Sequence, residues 1–277
     1  MEERFARLPT HLRARTLITD LPGPVEPVPT LLAHPEESWW EPGATPAPAP
    51  LCLWMHGRTA FKELDPGRYL RWVRAGIGAC SIDLPGHGAR QKPGWDRTEN
   101  TIEVVEQASR EIDTVLDALR DAKFNNAFDL ERVAIGGMSA GGMVALNRLT
   151  RAHGFTCTSL EATAGNFEAM RGTPLFSEEK AERLSPVKHL DDWRPVPLLA
   201  VHSEADESVP VEAMRTFIEP LRAHYAAHNA DPDSIRFHTW ERTGAPYEHD
   251  GFGSKSNEAK NMQTEFLAQH LRAEAPA

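Results

Sequence analysis

The sequence predicts an α/β fold: a doubly wound, mostly parallel sheet with helices on both faces. Apolar, strand-like runs alternate with amphipathic helical stretches, which is the pattern of repeated β-then-α units. The run at residues 51–55 (LCLWM) is continuously apolar, as in a strand buried on both faces. With 277 residues, the chain is long enough for one large α/β domain. We therefore predict a single domain over residues 1–277.

The predicted strands are short apolar runs bounded by polar, Gly or Pro residues. The first two contain or adjoin Pro and Gly, which suits edge strands better than central ones. In chain order, the eight predicted strands cover residues 13–19, 28–34, 51–55, 77–82, 133–136, 156–162, 197–202 and 235–240.

The predicted helices carry apolar residues at helical spacing. The longest places Ile102, Val105 and Ile112 on one face, after a start signal at Thr98 and Glu99. The helices cover residues 64–75, 98–122, 143–149, 211–227 and 257–273.

Residues 166–194 interrupt the alternation of strands and helices. This stretch mixes helical and loop patterns, and we interpret it as a small cap insertion above the sheet. Phe176 and Trp193 in it have two interpretations: they line an acyl pocket, or they pack the cap against the core.

Composition excludes several classes of function. The net charge is −10 without a Lys/Arg cluster, which argues against nucleic-acid binding. No apolar run approaches the roughly 20 residues that span a bilayer, and the first residues do not resemble a signal peptide. Cys52, Cys80 and Cys157 each lie in an apolar run and are expected to be buried, reduced thiols. We therefore expect a cytoplasmic protein without a membrane or nucleic-acid partner.

Residues 135–142 (IGGMSAGG) contain a G-x-S-x-G motif between a predicted strand and a predicted helix. In this context the serine occupies a sharp turn and projects its hydroxyl, so Ser139 is the candidate nucleophile. The alternative is a Gly-rich turn in which Ser139 only caps the helix.

A serine nucleophile needs a base and an acid, which follow it in the order acid, then base, on a doubly wound sheet. The acid is expected just after the strand at 197–202, where Asp206 is our choice and Glu204 the competitor. The base is expected between the last strand and the last helix, and His249 is the only histidine of that loop.

An oxyanion hole requires backbone N–H groups that point at the developing negative oxygen. We expect one from Ala140 and one from Arg58, in the loop after the strand at 51–55. His56 is interpreted as a residue that orders this loop by hydrogen bonding. An alternative role for the side chains of Arg58 and Lys62 is to bind an acidic substrate group.

These motifs together resemble the α/β-hydrolases, in particular the small serine esterases related to prolyl oligopeptidase and dienelactone hydrolase. The resemblance runs from about residue 51 to the C-terminus. The HGGG run of hormone-sensitive-lipase-like esterases is absent, and Arg58 stands where relatives often have an apolar residue. The matching residues are His56-Gly57, the turn at 83–88 (DLPGHG), the motif at 137–142 (GMSAGG), Asp206 with Val209-Pro210, and His249.

The resemblance implies an α/β-hydrolase fold with an eight-stranded sheet. It also implies a serine carboxylesterase that cleaves small, short-acyl esters through a Ser139-His249-Asp206 triad, without metal or organic cofactor. Peptidase, amidase and thioesterase activities use the same triad and remain alternatives; we expect esters because peptide-cleaving relatives usually carry a second, gating domain. A non-catalytic ligand-binding protein is the alternative from another class. The oligomeric state is not readable from the sequence.

Overall fold

The structure is a computed structural model that describes residues 2–272. An eight-stranded sheet forms its centre, in the order β1-β2-β4-β3-β5-β6-β7-β8. The first two strands pair antiparallel with their neighbours, and all other pairs are parallel. This architecture confirms the predicted fold class. The strands are β1 Thr16–Leu21, β2 Val28–Ala33, β3 Ala49–Met55, β4 Gly78–Ile82, β5 Phe128–Met138, β6 Cys157–Glu161, β7 Leu198–Ser203 and β8 Ile235–Trp240.

Successive side chains of a strand point to opposite faces, and both faces of this sheet are covered. In β3, Leu51, Leu53 and Met55 join one apolar cluster, whereas Cys52 and Trp54 join the other. β3 is apolar throughout because both of its faces are buried in the core. All three cysteines are buried and free, as expected.

Helices are divided between the two faces by the cluster that each one enters. The cluster around Leu53 takes side chains from α4, α5, α6 and α7, and the cluster around Trp54 takes them from α2, α3 and α8. The helices are α1 Glu2–Ala6, α2 Thr10–Arg13, α3 Pro66–Arg74, α4 Thr101–Ala118, α5 Ala140–Leu149, α6 Glu178–Leu184, α7 Glu212–Ala227 and α8 Ser256–Leu271.

Two predicted strands differ from the observed strands by more than two residues at one end, and most of the others differ by one or two residues. The first begins at Thr16 rather than at residue 13, because the preceding residues form α2, with Leu12 fully buried. The strand predicted at 133–136 is longer, because β5 already pairs with β3 at Phe128 and Asp129 before a register shift. Polar side chains in this early part of β5 hide the strand pattern.

The long helix predicted at 98–122 is also shorter, since 3₁₀ turns flank α4 at 98–100 and 122–124. The last helix is predicted to end at Ala273, which lies outside the described residues; within them, α8 ends at Leu271. Within residues 2–272, no helix combines the length and apolar character needed to cross a membrane.

The carboxyl ends of the parallel strands lie at one edge of the sheet, where ligands of such sheets bind. Loops after β3, β5, β7 and β8 therefore meet there. They carry the four groups of residues that the sequence singled out.

Candidate active site

The turn after β5 holds Ser139 in a conformation that few non-glycine residues adopt. Its φ is +53° and its ψ is −118°, between the end of β5 and the start of α5. Such backbone strain persists only where the surroundings enforce it. Here the Ser139 N–H donates to the Glu161 carbonyl at 2.9 Å, and the Ser139 carbonyl accepts from Thr163 Oγ1 at 2.7 Å.

Two glycines make this turn sterically possible. A Cβ at position 137 would lie 2.3 Å from the carbonyl carbon of Gly141, and a Cβ at position 141 would lie 2.2 Å from the carbonyl oxygen of Met55. Both distances are far shorter than any real contact, so no side chain fits at either position. The strand–turn–helix interpretation of the motif is therefore confirmed.

His249 lies between Ser139 and Asp206, although the three residues are far apart in the sequence. Its Nε2 is 2.9 Å from Ser139 Oγ, and its Nδ1 is 2.7 Å from Asp206 Oδ2. The carboxylate accepts only, so Nδ1 carries the hydrogen and Nε2 is left to accept the serine proton. His249 is only 7% exposed. The arrangement has the geometry of a nucleophile, a base and an orienting acid.

Asp206, not Glu204, is the carboxylate that reaches His249. Its other oxygen, Oδ1, accepts from the backbone N–H groups of Ser208 and Val209, both at 2.8 Å. Burial acts to raise the pKa of Asp206, but hydrogen bonds from His202 and His249 outweigh it and hold the pKa below its usual value. Glu204 is exposed and instead pairs with Arg215 at 2.7 Å.

The loop after β3 lies against the nucleophile turn. A Cβ at position 57 would lie 2.6 Å from Met138 Sδ and 3.5 Å from Ser139 Cβ, so the backbone of this loop passes close to the serine. Gly57, Arg58 and Thr59 line the same cavity as Ser139. Ala140 is the first residue of α5, where backbone N–H groups have no partner within the helix. Both expected oxyanion donors therefore belong to segments that border Ser139.

His56 orders this loop, as expected. Its Nε2 accepts from the Leu84 N–H at 3.1 Å, so its Nδ1 carries the hydrogen that is donated to the Gly57 carbonyl at 2.7 Å. Burial lowers the pKa of His56 to about 4, which keeps the ring neutral near pH 7. The interpretation of His56 as a structural residue of the loop is confirmed.

The alternative role for Lys62, binding an acidic substrate group, is wrong. Its side chain is 1% exposed, and its Nζ lies 2.8 Å from Asp83 Oδ2 and 2.9 Å from Glu63 Oε1. Arg58 does border the cavity, where its guanidinium donates to the carbonyl of Asp96 at 2.8 Å.

The loop that carries His249 is held by its neighbour Glu248, which sequence reasoning missed. Glu248 Oε2 accepts from Ser203 Oγ at 2.9 Å and from the N–H and Oγ1 of Thr243 at 2.6 and 2.8 Å. Its Oε1 accepts from the Gly244 N–H at 3.0 Å. These donors, the Thr243 N–H above all, lower the pKa of Glu248 to about 2. The only sequence signal was an acidic residue beside the candidate base.

A cavity of about 620 Å³ opens over Ser139 and His249. The segment predicted as a cap contributes residues 172–175 to its wall, and the role of this segment as a cap stays a prediction.

Leu175 lines the cavity, whereas Trp193 packs on Phe217 and donates to the Tyr225 hydroxyl at 3.1 Å. Of the two interpretations of Trp193, packing against the core is therefore the correct one. Phe176 packs beneath the guanidinium of Arg171, 4.5 Å from its ring centre, and is not among the lining residues.

The cavity lining mixes apolar and polar side chains. Among the described residues, no group of three His, Cys, Asp or Glu side chains is arranged to hold a metal ion. The lining consists of Gly57, Arg58, Thr59, Thr98, Thr101, Met138, Ser139, Met143, residues 172–175, Glu207, Ser208, Val209, Tyr247, His249 and Asp250.

Comparisons with known proteins agree with this architecture. Among curated proteins, the chain is 26% identical over 230 residues to Esterase YjfP of Escherichia coli strain K12, a match that covers 77% of this chain and 86% of the relative.

Among solved structures, a Mycobacterium tuberculosis puromycin-hydrolyzing peptidase superimposes with a TM-score of 0.72 at 19% identity. That match covers 97% of this chain, but the chain spans only 41% of the peptidase. The Thermus thermophilus protein TT1662 superimposes with a TM-score of 0.67 at 20% identity, over 94% of this chain and 100% of that protein. At these identities, the two structural matches show the fold.

The family of this chain is assigned from a sequence match to a protein-family model. The model of the prolyl oligopeptidase family matches residues 105–273, which is more than half of the chain and includes Ser139, Asp206 and His249. The chain therefore belongs to the prolyl oligopeptidase family and is a serine hydrolase with the α/β-hydrolase fold.

Proposed function

We propose that this protein is a serine carboxylesterase that hydrolyses small, short-acyl esters through Ser139, His249 and Asp206. The observation that carries the proposal is the pair of distances at His249, 2.9 Å to Ser139 Oγ and 2.7 Å to Asp206 Oδ2, in a residue that borders an open cavity. Serine is a poor nucleophile unless a neighbouring base takes its proton, and this geometry supplies the base.

The proposed reaction has two halves. Ser139 Oγ attacks the ester carbonyl while His249 Nε2 takes the serine proton, and the N–H groups of Ala140 and Arg58 stabilise the tetrahedral oxyanion. His249 then donates the proton to the departing alcohol, which leaves an acyl-enzyme. Water, deprotonated by His249, attacks the acyl-enzyme, and His249 returns this proton to Ser139 Oγ as the acid leaves. Asp206 keeps the hydrogen on His249 Nδ1 and stabilises the imidazolium in both halves.

The preference for small esters is supported by the cavity and by one relative. Met138, Met143 and Leu175 provide apolar wall, but four threonines also line the cavity, and such a lining suits a small, partly polar ester. Esterase YjfP, the relative reported above with an esterase name, is matched over most of its length.

Amide or peptide cleavage on the same three residues is the second candidate. The family match and the fold of the puromycin-hydrolyzing peptidase favour it. Thioester hydrolysis uses the same chemistry but has no specific observation in its favour.

The two candidates are separated by substrates that share an acyl group. We would compare p-nitrophenyl esters from acetate to octanoate with p-nitroanilides of the same acids, using wild type and the Ser139→Ala variant. We expect wild type to turn over the short esters with a kcat/KM far above that for the matched anilides, and the variant to be inactive. Faster turnover of the anilides would favour the peptidase, and equal activity of both proteins would exclude Ser139 as nucleophile.

A further inference from the structure

A second histidine contacts the carboxylate that orients His249. His202 lies near the end of β7, four residues before Asp206, and its side chain is 1% exposed. Its Nε2 is 3.2 Å from Asp206 Oδ2, the same oxygen that lies 2.7 Å from His249 Nδ1. None of the sequence motifs includes this residue.

The neighbours of His202 Nε2 fix the direction of its hydrogen bonds. The nitrogen is also 2.9 Å from the carbonyl oxygen of Val209, so both of its partners are acceptors. Nε2 therefore carries a hydrogen, whether the ring is neutral or charged. The two histidines are thus used in opposite ways, because His249 donates from Nδ1 and His202 donates from Nε2.

Val209 closes the arrangement into a ring. Its N–H donates to Asp206 Oδ1 at 2.8 Å, while its carbonyl accepts from His202. His202 therefore links the rigid end of β7 both to the carboxylate and to the turn that supplies two of the carboxylate's N–H donors. Asp206 has a completely buried side chain, so water cannot replace a missing donor.

We propose that His202 is a positioning residue of the active site: it holds Asp206 Oδ2 in line with His249 Nδ1 and shares the negative charge of that oxygen. The proposal rests on the proposed function, because it assigns His202 to the same triad. The lowered pKa of Asp206, to which the hydrogen bond from His202 contributes, agrees with it.

Replacement of His202 by leucine removes the donor and leaves a side chain of similar bulk. We expect kcat to fall about tenfold with KM nearly unchanged, because the buried carboxylate loses the N–H that lies 3.2 Å from its Oδ2. Asp206 then concentrates its charge on His249 and stabilises the imidazolium, so the acid limb of kcat/KM shifts to higher pH. The titratable groups that act on Asp206 are His249 and His202, and His202 also acts on Glu204; only His202 is changed in this comparison.

His202→Gln is the conservative variant, since the glutamine amide can place an N–H near the position of Nε2. We expect it to recover most of kcat and the wild-type acid limb. His34→Leu is the matched control: His34 is another histidine only 1% exposed, which bonds to Ala47 and Glu36 outside the cavity over Ser139. This control is expected to lower stability without moving the pH profile.

The inference is overturned if His202→Leu keeps the wild-type kcat and acid limb, or if His202→Gln, folded, is as impaired as His202→Leu. If the leucine variant does not fold, ¹⁵N NMR of the wild-type protein measures which imidazole nitrogens are protonated. The proposal requires a hydrogen on Nε2 of His202, so an unprotonated Nε2 refutes it. The Ser139→Ala variant distinguishes a failure of this inference from a failure of the proposed function. Full esterase activity in that variant would show that Ser139 is not the nucleophile and would refute the proposed function.

Discussion

The nucleophile turn and the histidine loop meet at the cavity, where Ser139 and His249 are in contact, and they are held in different ways. The turn around Ser139 is enforced by steric exclusion, because the backbone of neighbouring segments occupies the space beside Gly137 and Gly141. The loop around His249 is held by hydrogen bonds to buried carboxylates, Glu248 and Asp206. We conclude that the same site combines a turn specified by glycines with a loop specified by distant polar partners.

The largest effect is expected where the histidine loop meets its acid. Asp206→Asn removes the charge and lets an amide N–H face His249, so the histidine loses its correct tautomer. We expect kcat to fall about 10³- to 10⁴-fold, measured by ester hydrolysis on protein of unchanged circular dichroism. Glu204→Gln is the matched control and is expected to stay within about twofold, as a change to an exposed ion pair should. A larger loss in the control than in Asp206→Asn would make Glu204 the acid.

The nucleophile turn is expected to break by steric clash. Gly141→Ala places a methyl group against the carbonyl oxygen of Met55, and we expect it to cost about 3 kcal/mol or more of the free energy of unfolding. Urea unfolding measures this, with Gly154→Ala as the control, since a Cβ there meets nothing within 4 Å. We expect the control to change stability by no more than about 0.5 kcal/mol. Equal stability of the two variants would contradict steric specification of the turn.

The histidine loop is expected to depend on pH through Glu248. Its pKa is lowered from 4.5 to about 2 in the folded protein, so its ionised form stabilises the fold above about pH 4.5. That contribution is lost as the pH falls from about 4.5 to about 2. Glu248→Gln should therefore be less stable than wild type at pH 7, with a stability that changes less over this acid range. Urea midpoints measured from pH 7 down to pH 2 test this. If the midpoints of both proteins fall in parallel with pH, ionised Glu248 does not stabilise the loop.

The smallest effect is expected at Arg58, whose proposed role uses its backbone. Arg58→Met keeps the backbone N–H that we propose to face the oxyanion, and it removes only a guanidinium bonded to the Asp96 carbonyl. With neutral esters we expect kcat to change by less than about threefold, since losses of 10²-fold or more follow removal of an oxyanion donor itself. A hundredfold loss in steady-state kcat would assign the stabilising role to the side chain.

The contrast between the two regions also explains what the sequence could predict. The turn leaves a local signature, because its glycines, its serine, the strand and the helix are consecutive in the chain. The order of strands and helices follows from apolar periodicity in the same way. His249 and Asp206 could be predicted because each follows a recognisable strand.

Glu248 and His202 could not be predicted, because their roles depend on how the loops fold back toward these side chains, which no residue pattern indicates. Glu248 accepts a hydrogen bond from Ser203, which lies 45 positions earlier in the chain, and neither Glu248 nor Ser203 belongs to a sequence motif. The choice between Asp206 and Glu204 stayed open for the same reason. Lys62 was misjudged because its buried partner Asp83 lies 21 positions further along the chain.

The proposed mechanism requires His249 to activate Ser139, and covalent labelling measures this activation without an ester substrate. We would treat wild type and His249→Ala with a fluorophosphonate and locate the label by peptide mass spectrometry. We expect a single label on Ser139 in wild type and labelling slower by several orders of magnitude in the variant. A label on any other residue, or equal labelling rates in both proteins, would contradict it.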